Sequence, residues 1–382
     1  MASVLAFRAV YVALPALFAM AVLIRGPMRD AASSPPALLE AQEIARGPGL
    51  GPALFSAGRA ECGILRQGQH GLLRAGATAA AVGRGRISLV ALFDPLGPPG
   101  AVPGLLSVLA QEAAKEGRLP GLYKCGPHTA ALARRAGWTV LRIAEEQVLD
   151  PRGAAGFAGP AYASLRRKLR RAEREGVTVE EAGAILPLPE MTAIARDWDM
   201  ARGPERGFSM GRFDPDYVAG QRVFLARRDG RPIAFASFHE ARAEWTLDLM
   251  RWSGGVPDGT MQSLVAGAVA AAAREGVPRL SLAALPCRRT AARIEAGLAR
   301  LPLPPAIVTR LLGALGGAEG LRQFKVAFAP RPVPLYLAAP GRTALVLAAL
   351  DIAAEIHRPR RLPGADPCRR GRRQCGQRRG SV

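Results

Sequence analysis

The chain has few of the residues that build metal sites and disulfide frameworks. It contains five cysteines and four histidines in 382 residues, and no two cysteines are spaced as Cys-x-x-Cys. An odd number of scattered cysteines does not indicate a disulfide framework. The histidines, at positions 70, 128, 239 and 357, lack the spacing of zinc ligands. We therefore expect reduced thiols, and we assign no metal and no cofactor.

Lysine and acidic residues are also scarce. Lysine occurs at positions 115, 124, 168 and 325, and 52 basic residues against 31 acidic ones give a formal net charge of +21. This excess favours a polyanionic partner, either nucleic acid or an anionic membrane surface, and charge alone does not distinguish the two. With 49% hydrophobic residues, the chain is long enough for two globular domains and does not have the composition of a disordered protein.

One long uncharged run stands near the amino terminus. Residues 9–24 carry no charged side chain. The run is slightly short for a membrane span of about 20 residues and long enough for a signal-peptide core, so residues 1–28 are an anchor, a signal or a product of a misassigned start codon. Arg25 and Arg29 follow the run and favour keeping the later domains on the cytoplasmic side. Residues 29–60, rich in Ala, Pro and Gly, are predicted to be a linker.

One order of elements occurs twice along the chain. In the first half we predict a strand, a Gly/Pro loop, a helix and a strand, at 87–93, 97–104, 105–116 and 121–125. In the second half the same order follows a further strand, at 232–238, 244–251, 253–259, 260–274 and 279–283. The repetition indicates a duplicated α/β unit. We therefore predict two similar domains side by side, at 61–160 and 161–345, with a strand at 335–339 closing the second.

A basic segment lies between the two predicted units. Leu165, Leu169 and Ala172 have helical spacing, and Gly176 is a suitable helix end. The remaining surface of this predicted helix carries six cations: Arg166, Arg167, Lys168, Arg170, Arg171 and Arg174. Two glutamates in the segment are too few to neutralise them, so we favour contact with nucleic-acid phosphates over a solvated surface helix.

The carboxyl-terminal region is also basic. A helix is predicted near 342–355, and residues 358–382 then contain nine arginines opposed by Asp366 alone. A segment of this composition cannot bury a core, so we assign 346–382 to a basic, disordered tail. Such a tail would adhere to RNA or to anionic lipid.

The strand predicted at 244–251 carries an acid in its middle. Alternation would place Trp245, Leu247 and Leu249 on one face and Asp248 on the other. A buried aspartate is costly, so Asp248 is solvated at a sheet edge, bonded to a neighbour, or directed into a site. Arg251, three positions later, would lie on the opposite face unless a bulge re-aims one of the two.

A set of stretches in the second half carries a family resemblance. These stretches are 165–176, 205–211, 232–236, 248–251 and 320–325, together with Trp198, Tyr217, Phe328 and Tyr336. In the first half the match runs through Asp94-Pro95, Tyr123 and Glu145-Glu146. As an ordered set over about residues 60–340, they resemble the C-terminal catalytic domain of phosphatidylglycerol lysyltransferases, the multiple peptide resistance factors.

The resemblance implies a fold, an activity and a location. The fold would be α/β, a tandem of acetyltransferase-like (GNAT-like) domains with mixed, mostly antiparallel sheets. The activity would be lysyl or alanyl transfer from aminoacyl-tRNA to phosphatidylglycerol. The anionic surface of the inner membrane would be a further partner, with the catalytic domains on its cytoplasmic side.

The resemblance also implies roles for individual residues. The catalytic set would be Asp248, Arg251, Lys325 and Tyr217. Asp248 would orient the aminoacyl ammonium or take the proton of the glycerol hydroxyl, and Tyr217 would orient substrate. Arg251, Arg322 and Lys325 would bind the lipid phosphate, and Lys325 could also face the developing oxyanion. The cations of the basic helix would contact tRNA.

Two other functions remain open from the sequence. A coenzyme-A-dependent N-acyltransferase of the same fold would need backbone N–H groups around a pyrophosphate, and loop 254–260 has Pro257, which removes a donor, and Asp258, which repels phosphate. A non-catalytic, membrane-tethered RNA- or lipid-binding protein would account for the charge. It would leave Asp248 and Arg251 without a purpose.

Overall fold

The computed structural model describes residues 38–39, 50–154, 156–203, 205–287 and 318–358. Within these ranges twelve strands form one continuous sheet in the order β1-β2-β3-β4-β5-β12-β6-β11-β10-β9-β8-β7. The strands are β1 (Leu38–Leu39), β2 (Gly71–Ala75), β3 (Thr78–Arg84), β4 (Ser88–Leu96), β5 (Leu119–Cys125), β6 (Thr139–Leu149), β7 (Thr178–Glu181), β8 (Arg222–Arg228), β9 (Arg231–Ala241), β10 (Glu244–Trp252), β11 (Leu280–Pro286) and β12 (Arg331–Ala339).

Helices cover both faces of this sheet. They are α1 (Leu50–Phe55), α2 (Val102–Lys115), α3 (Pro127–Arg135), α4 (Pro151–Ala154), α5 (Ala163–Arg174), α6 (Leu188–Arg202), α7 (Pro215–Ala219), α8 (Thr260–Arg274), α9 (Ala318–Val326) and α10 (Arg342–Ile356). In the described part of the chain, short 3₁₀ helices occupy Ala60–Gln67, Pro99–Ala101 and Pro160–Tyr162. We call the first of these the 3₁₀ segment, because it recurs in the functional site.

The repeated unit of the sequence is present in both halves. Strand β4 leads through α2 to β5, which pairs with β4 in parallel, and β10 leads through α8 to β11, which pairs with β10 in parallel. The other strand pairs in the described residues are antiparallel. The predicted fold class, α/β with two similar units and mixed, mostly antiparallel strands, is confirmed by this topology.

The last strands of the two halves are exchanged. Strand β6, from the first half, pairs with β11 of the second, and β12 inserts between β5 and β6. Our interpretation that the strand at 335–339 closes the second unit is therefore wrong, because the hydrogen bonds of β12 go to the first half. The boundary drawn between the two domains at residue 160 stays a prediction, since the sheet runs on across it.

The core is divided into layers on either side of the sheet. In the first half α2 and α3 cover one face, and α10 with the 3₁₀ segment covers the other. In the second half α5 and α8 cover one face, and α6 and α7 cover the other. Helix α8 buries Leu264, Val265, Ala268 and Val269, which follow helical spacing, and each large aliphatic side chain contributes roughly 1.5–3 kcal/mol by leaving water.

Several sequence predictions fall at the margins of the described chain. Residues 1–28 and 359–382 lie outside it, so the anchor or signal and most of the tail stay predictions. Helix α10 continues to Ile356, so the predicted tail is helical over its first residues. Part of the predicted linker is also ordered, because α1 begins at Leu50 and Arg59 is buried. No helix in the described ranges is both long and apolar enough to cross a membrane.

Candidate functional site

The site is built around a bulge in β10. This strand lies inside the sheet between β9 and β11, so the solvated-edge alternative for Asp248 is wrong. Leu247 pairs with Phe238 and Leu249 pairs with Ser237, which leaves Asp248 as an extra residue in the ladder.

The bulge changes which residues share a face. Leu247 packs in the cluster with α8, and Leu249 packs in the cluster with α6 and α7. The prediction that these two leucines share a face is wrong for this reason. Asp248 and Arg251 both reach the side of α6 and α7, as a bulge between them allows.

Asp248 is held by two donors on one carboxylate oxygen. The hydroxyl of Tyr217 and the amide nitrogen of Gln221 each donate to Oδ2 at 2.8 Å. The other oxygen, Oδ1, has no hydrogen-bond partner among the described residues. A Cβ atom at Gly211 would overlap this carboxylate, so the loop can approach only because that residue is glycine. The structure thus brings together two of the four predicted catalytic residues and leaves one carboxylate oxygen without a hydrogen-bond partner among the described residues.

His239 completes this group, and sequence analysis missed it. Its Nε2 lies 3.1 Å from the Tyr217 hydroxyl and 3.5 Å from Asp248 Oδ2, and its Nδ1 lies 3.4 Å from the Gln221 amide nitrogen. From the sequence, the histidines are considered only as metal ligands, and His239 is not part of a metal site in the described residues. The signal that could have found His239 is its place in β9, opposite Thr246 and therefore beside the strand that carries Asp248.

Burial sets the protonation of this group. It lowers the pKa of His239, Arg66 lowers it further, and Asp248 opposes the shift. It also raises the pKa of Tyr217 well above its ordinary value, and the neighbouring Asp248 adds to that shift. His239 is therefore neutral and Tyr217 is a hydrogen-bond donor at neutral pH.

Arg251 has a protein partner rather than an open fork. Its Nε donates to Glu205 Oε1 at 3.0 Å, its Nη2 also contacts that oxygen, and its Nη1 donates to the carbonyl of Met250 at 2.9 Å. The guanidinium also stacks on Trp198, 4.1 Å from the ring centroid. The predicted role of Arg251 at the lipid phosphate stays a prediction, and a phosphate would have to displace Glu205 or use the two N–H groups that remain.

A second polar group lies where the two halves meet. It consists of Arg59, Glu61, Asp94, Glu146, Glu244 and Arg279, and we call it the central charged cluster. Arg59 stands at its centre, with Nη2 at 2.7 Å from Glu61 and 2.8 Å from Glu146, and its Nε 3.6 Å from Glu244. Arg59 lies in the predicted linker and is not among the predicted site residues.

Lys325 lies beside the central charged cluster. It is 3% exposed, and its Nζ donates to the carbonyl of Ala284 at 3.1 Å. Burial and the nearby Lys124 lower the pKa of its amine to about 7, against the opposing effect of Glu61 and Glu146. Lys325 is therefore only partly charged at neutral pH, whereas the sequence predicts a fixed cation.

Arg322 lies one turn before Lys325 on α9. Its Nη2 donates to the carbonyl of Pro286 at 2.9 Å. The two cations thus attach α9 to the end of β11. The hydrogen bonds that hold these two side chains lead to β11 and not to Asp248 or Tyr217, so their predicted role at the lipid phosphate stays a prediction.

The basic helix is confirmed as α5, and its cations fall into two groups. Arg166 donates to the carbonyls of Phe157 and Gly159, Lys168 lies 3.4 Å from Asp258, and Arg171 lies 2.9 Å from Glu175. These three cations have structural partners. The others are exposed and form no ion pair with the described residues: Arg167, Arg170 and Arg174.

Helix α5 also covers the loop where a pyrophosphate would be expected. A Cβ atom at Gly259, which precedes α8, would overlap the carbonyl oxygen of Lys168. Asp258 next to it faces Lys168 and Arg171. The backbone of α5 and an acid thus occupy the start of α8, which disfavours coenzyme A. In the described ranges no cluster of His, Cys, Asp and Glu could hold a metal ion.

Comparison with known proteins agrees with this architecture. Residues 27–339 match the family described as phosphatidylglycerol lysyltransferase, C-terminal. The phosphatidylglycerol lysyltransferase of Bacillus subtilis (strain 168) is 27% identical over 256 residues, which is 65% of this chain and 29% of that protein. The chain spans between 17% and 29% of the length of several curated relatives.

Two solved structures share the fold. One is the C-terminal domain of a candidate lysylphosphatidylglycerol synthetase from Agrobacterium fabrum, with a TM-score of 0.73, 24% identity, and coverage of 84% of this chain and 99% of that one. The other is L-PGS from Bacillus licheniformis, with a TM-score of 0.69, 21% identity, and coverage of 87% and 100%. The family match spans both halves and the bulged strand, so the chain belongs to the phosphatidylglycerol lysyltransferase C-terminal family.

Proposed function

We propose that this chain transfers a lysyl group from aminoacyl-tRNA to phosphatidylglycerol at a membrane surface. The observation that carries the proposal is the family match over residues 27–339. The bulge at Asp248 supports it, because it supplies an acid with one oxygen that accepts no hydrogen bond from the described residues. The excess of positive charge fits a polyanionic tRNA and an anionic lipid surface.

The reaction exchanges one ester for another. A hydroxyl of the glycerol head group attacks the ester carbonyl of the aminoacyl-tRNA and loses its proton. A new ester bond forms, and the ribose oxygen of the tRNA leaves and takes up a proton, so the protons balance. The tRNA ester is already activated, so positioning and charge placement supply most of the rate enhancement.

We assign Oδ1 of Asp248, which lacks a hydrogen-bond partner in the part of the chain that the structure describes, to the α-ammonium of the aminoacyl group. Oδ2 is already occupied by Tyr217 and Gln221, whereas Oδ1 is free to accept from a charged donor. An ammonium would compensate the enclosed carboxylate, and such charge-assisted bonds are short and strong. Lys325, with a pKa of about 7, is partly neutral at pH 7. The neutral amine fits a proton acceptor, and the charged fraction fits the predicted phosphate ligand.

The location follows from the donor. Aminoacyl-tRNA is cytosolic, so the proposal places the described domains on the cytoplasmic side of the membrane. Phosphatidylglycerol of the adjacent leaflet would then be within reach, and exposed arginines would be attracted to that anionic surface. A reporter fused after Val382 tests this placement, since alkaline phosphatase activity there would put the domains on the wrong side for tRNA.

The activity is tested on lipid extracts. Cells that make the chain should contain lysyl-phosphatidylglycerol by mass spectrometry, and cells that make Asp248→Asn at the same level should not. Purified protein with lysyl-tRNA and phosphatidylglycerol vesicles should give the same product. Alanyl-phosphatidylglycerol in the cell extracts would show that the chain transfers alanine and not lysine. Unmodified lipid in both assays would refute the proposal and favour a non-catalytic binding protein.

A further inference from the structure

The hydrogen bonds around Tyr217 define a direction. Asp248 Oδ2, 2.8 Å away, accepts, so the single hydroxyl proton of Tyr217 lies towards Asp248. His239 Nε2, 3.1 Å from the same hydroxyl, must then donate to the tyrosine oxygen. This assigns the proton of the neutral imidazole to Nε2 and leaves Nδ1 as an acceptor. The amide nitrogen of Gln221, 3.4 Å from Nδ1, is a donor of the required kind.

The imidazole is held in this orientation by its surroundings. His239 is 2% exposed, and a Cβ atom at Gly63 of the 3₁₀ segment would overlap its ring. The ring of Tyr217 meets it edge-on, with 5.7 Å between centroids. Because the backbone of Gly63 closes one side and Tyr217 the other, a rotated ring would lose its bonds to both Tyr217 and Gln221.

Charge in the surroundings favours the neutral form. The charged groups that act on His239 are Asp248, on the neighbouring strand, and Arg66, in the 3₁₀ segment. Burial and Arg66 both lower the pKa of the imidazole. A proton on Nδ1 would oppose the N–H groups of Gln221 and the cation of Arg66, so protonation would break the contact with Gln221.

We infer that His239 is a positioning residue that keeps the Tyr217 proton on Asp248 Oδ2 and so leaves Oδ1 for the substrate. The inference rests on the proposed function. His239 does not touch the reacting atoms, and it acts through Tyr217 and Gln221. Without its donor, the Tyr217 hydroxyl could turn away, and Asp248 would be free to rotate.

The test compares two substitutions with a matched control. His239→Leu removes the donor, whereas His239→Gln keeps an amide donor near the position of Nε2. His70→Gln is the control, because it replaces another buried histidine outside this group. The Nε2 atom of His70 lies 2.7 Å from the carbonyl oxygen of Phe208. Lysyl transfer is measured with purified protein, lysyl-tRNA and phosphatidylglycerol vesicles over a range of pH, and each variant's thermal midpoint is determined.

We expect His239→Leu to lower kcat about tenfold, the effect of losing one buried hydrogen bond beside the reacting centre. His239→Gln should recover kcat to within about threefold of wild type, and the acid limb of its kcat profile should move to lower pH because an amide does not titrate. The KM for lysyl-tRNA should stay nearly unchanged, since phosphate contacts dominate its affinity.

The outcomes separate this inference from the proposed function. Wild-type kcat and pH profile in His239→Leu, with Asp248→Asn inactive, would overturn the role of His239 and keep the function. Equal decreases of kcat in His239→Leu, His239→Gln and His70→Gln, in step with their thermal midpoints, would reduce His239 to a structural residue and also overturn the inference. Absence of product from the wild-type protein would instead refute the proposed function.

Discussion

Replacing Lys325 with Met should remove a specific pH dependence of stability. The side chain is buried, and its amine has a pKa of about 7 against an ordinary value of 10.5. Between these two values the unfolded chain binds a proton that the folded chain does not. The free energy of unfolding must therefore rise with pH across this window.

The magnitude follows from the size of the shift. Each pH unit inside the window is worth about 1.36 kcal/mol, and the curvature at its lower end reduces the rise between pH 7 and pH 9 to about 2 kcal/mol. The contribution of Lys325 to the free energy of unfolding is most favourable above the pKa of 10.5 that its amine has in the unfolded chain. This contribution is lost as the pH falls to about 7, the pKa of the amine in the folded chain. Met fills a similar volume and binds no proton, so its variant lacks this contribution.

Urea denaturation followed by tryptophan fluorescence measures the effect. Wild type and Lys325→Met are compared at pH 7, 8 and 9, and the difference between them isolates Lys325 from other titrating groups. Lys115→Met is the matched control, because the Lys115 side chain is 70% exposed on α2 and the variant should keep the wild-type dependence. If wild type and Lys325→Met change equally with pH, the buried amine is not neutral and the reasoning is refuted.

Two further predictions concern the charged surfaces. Replacing Arg167, Arg170 and Arg174 with Gln should flatten the slope of log K for tRNA binding against log salt concentration, by roughly 0.7 to 0.9 units for each phosphate that α5 no longer binds. Lys at the same three positions should preserve the slope. An unchanged slope in the Gln variant would show that α5 is a solvated surface helix. Glu205→Leu should lower the free energy of unfolding by roughly 3–5 kcal/mol, because it leaves Arg251 buried without its carboxylate partner. Adding Arg251→Met should restore part of that stability in a double-mutant cycle. Strictly additive effects of the two substitutions would show that the pair is not coupled.

Local sequence signals predict the elements of this fold well. Helix α8 has the predicted bounds, 260–274, because its apolar spacing is regular and glycines flank it. The sequence does not predict the bulge at Asp248 outright. It indicates that an aspartate in an apolar strand needs a partner, but it does not identify which residue that partner is. The exchange of β12 is not predictable, because an apolar strand pattern fixes which face is buried and not which neighbour it pairs with.

The residues around Asp248 are harder to predict than the strand that carries it. Tyr217 enters through the family resemblance, whereas His239 and Gln221 carry no motif of their own and meet Asp248 only in the folded sheet. Arg59 falls within the linker predicted from composition. Two of the acids that surround it lie 87 or more positions away in the sequence, in β6 and β10.

The 3₁₀ segment explains why the site needs both halves of the chain. It belongs to the first half by sequence, and it packs against β4 of that half and against β9 and β10 of the second. Arg59, just before it, pairs with Glu146 of β6 and lies against Glu244 of β10. Gly63 closes the pocket around His239. Since the carboxylates of β6 and β10 hold the start of this segment and Gly63 in its middle lies against His239, the central charged cluster sets the position of the wall beside the imidazole that neighbours Tyr217 and Asp248.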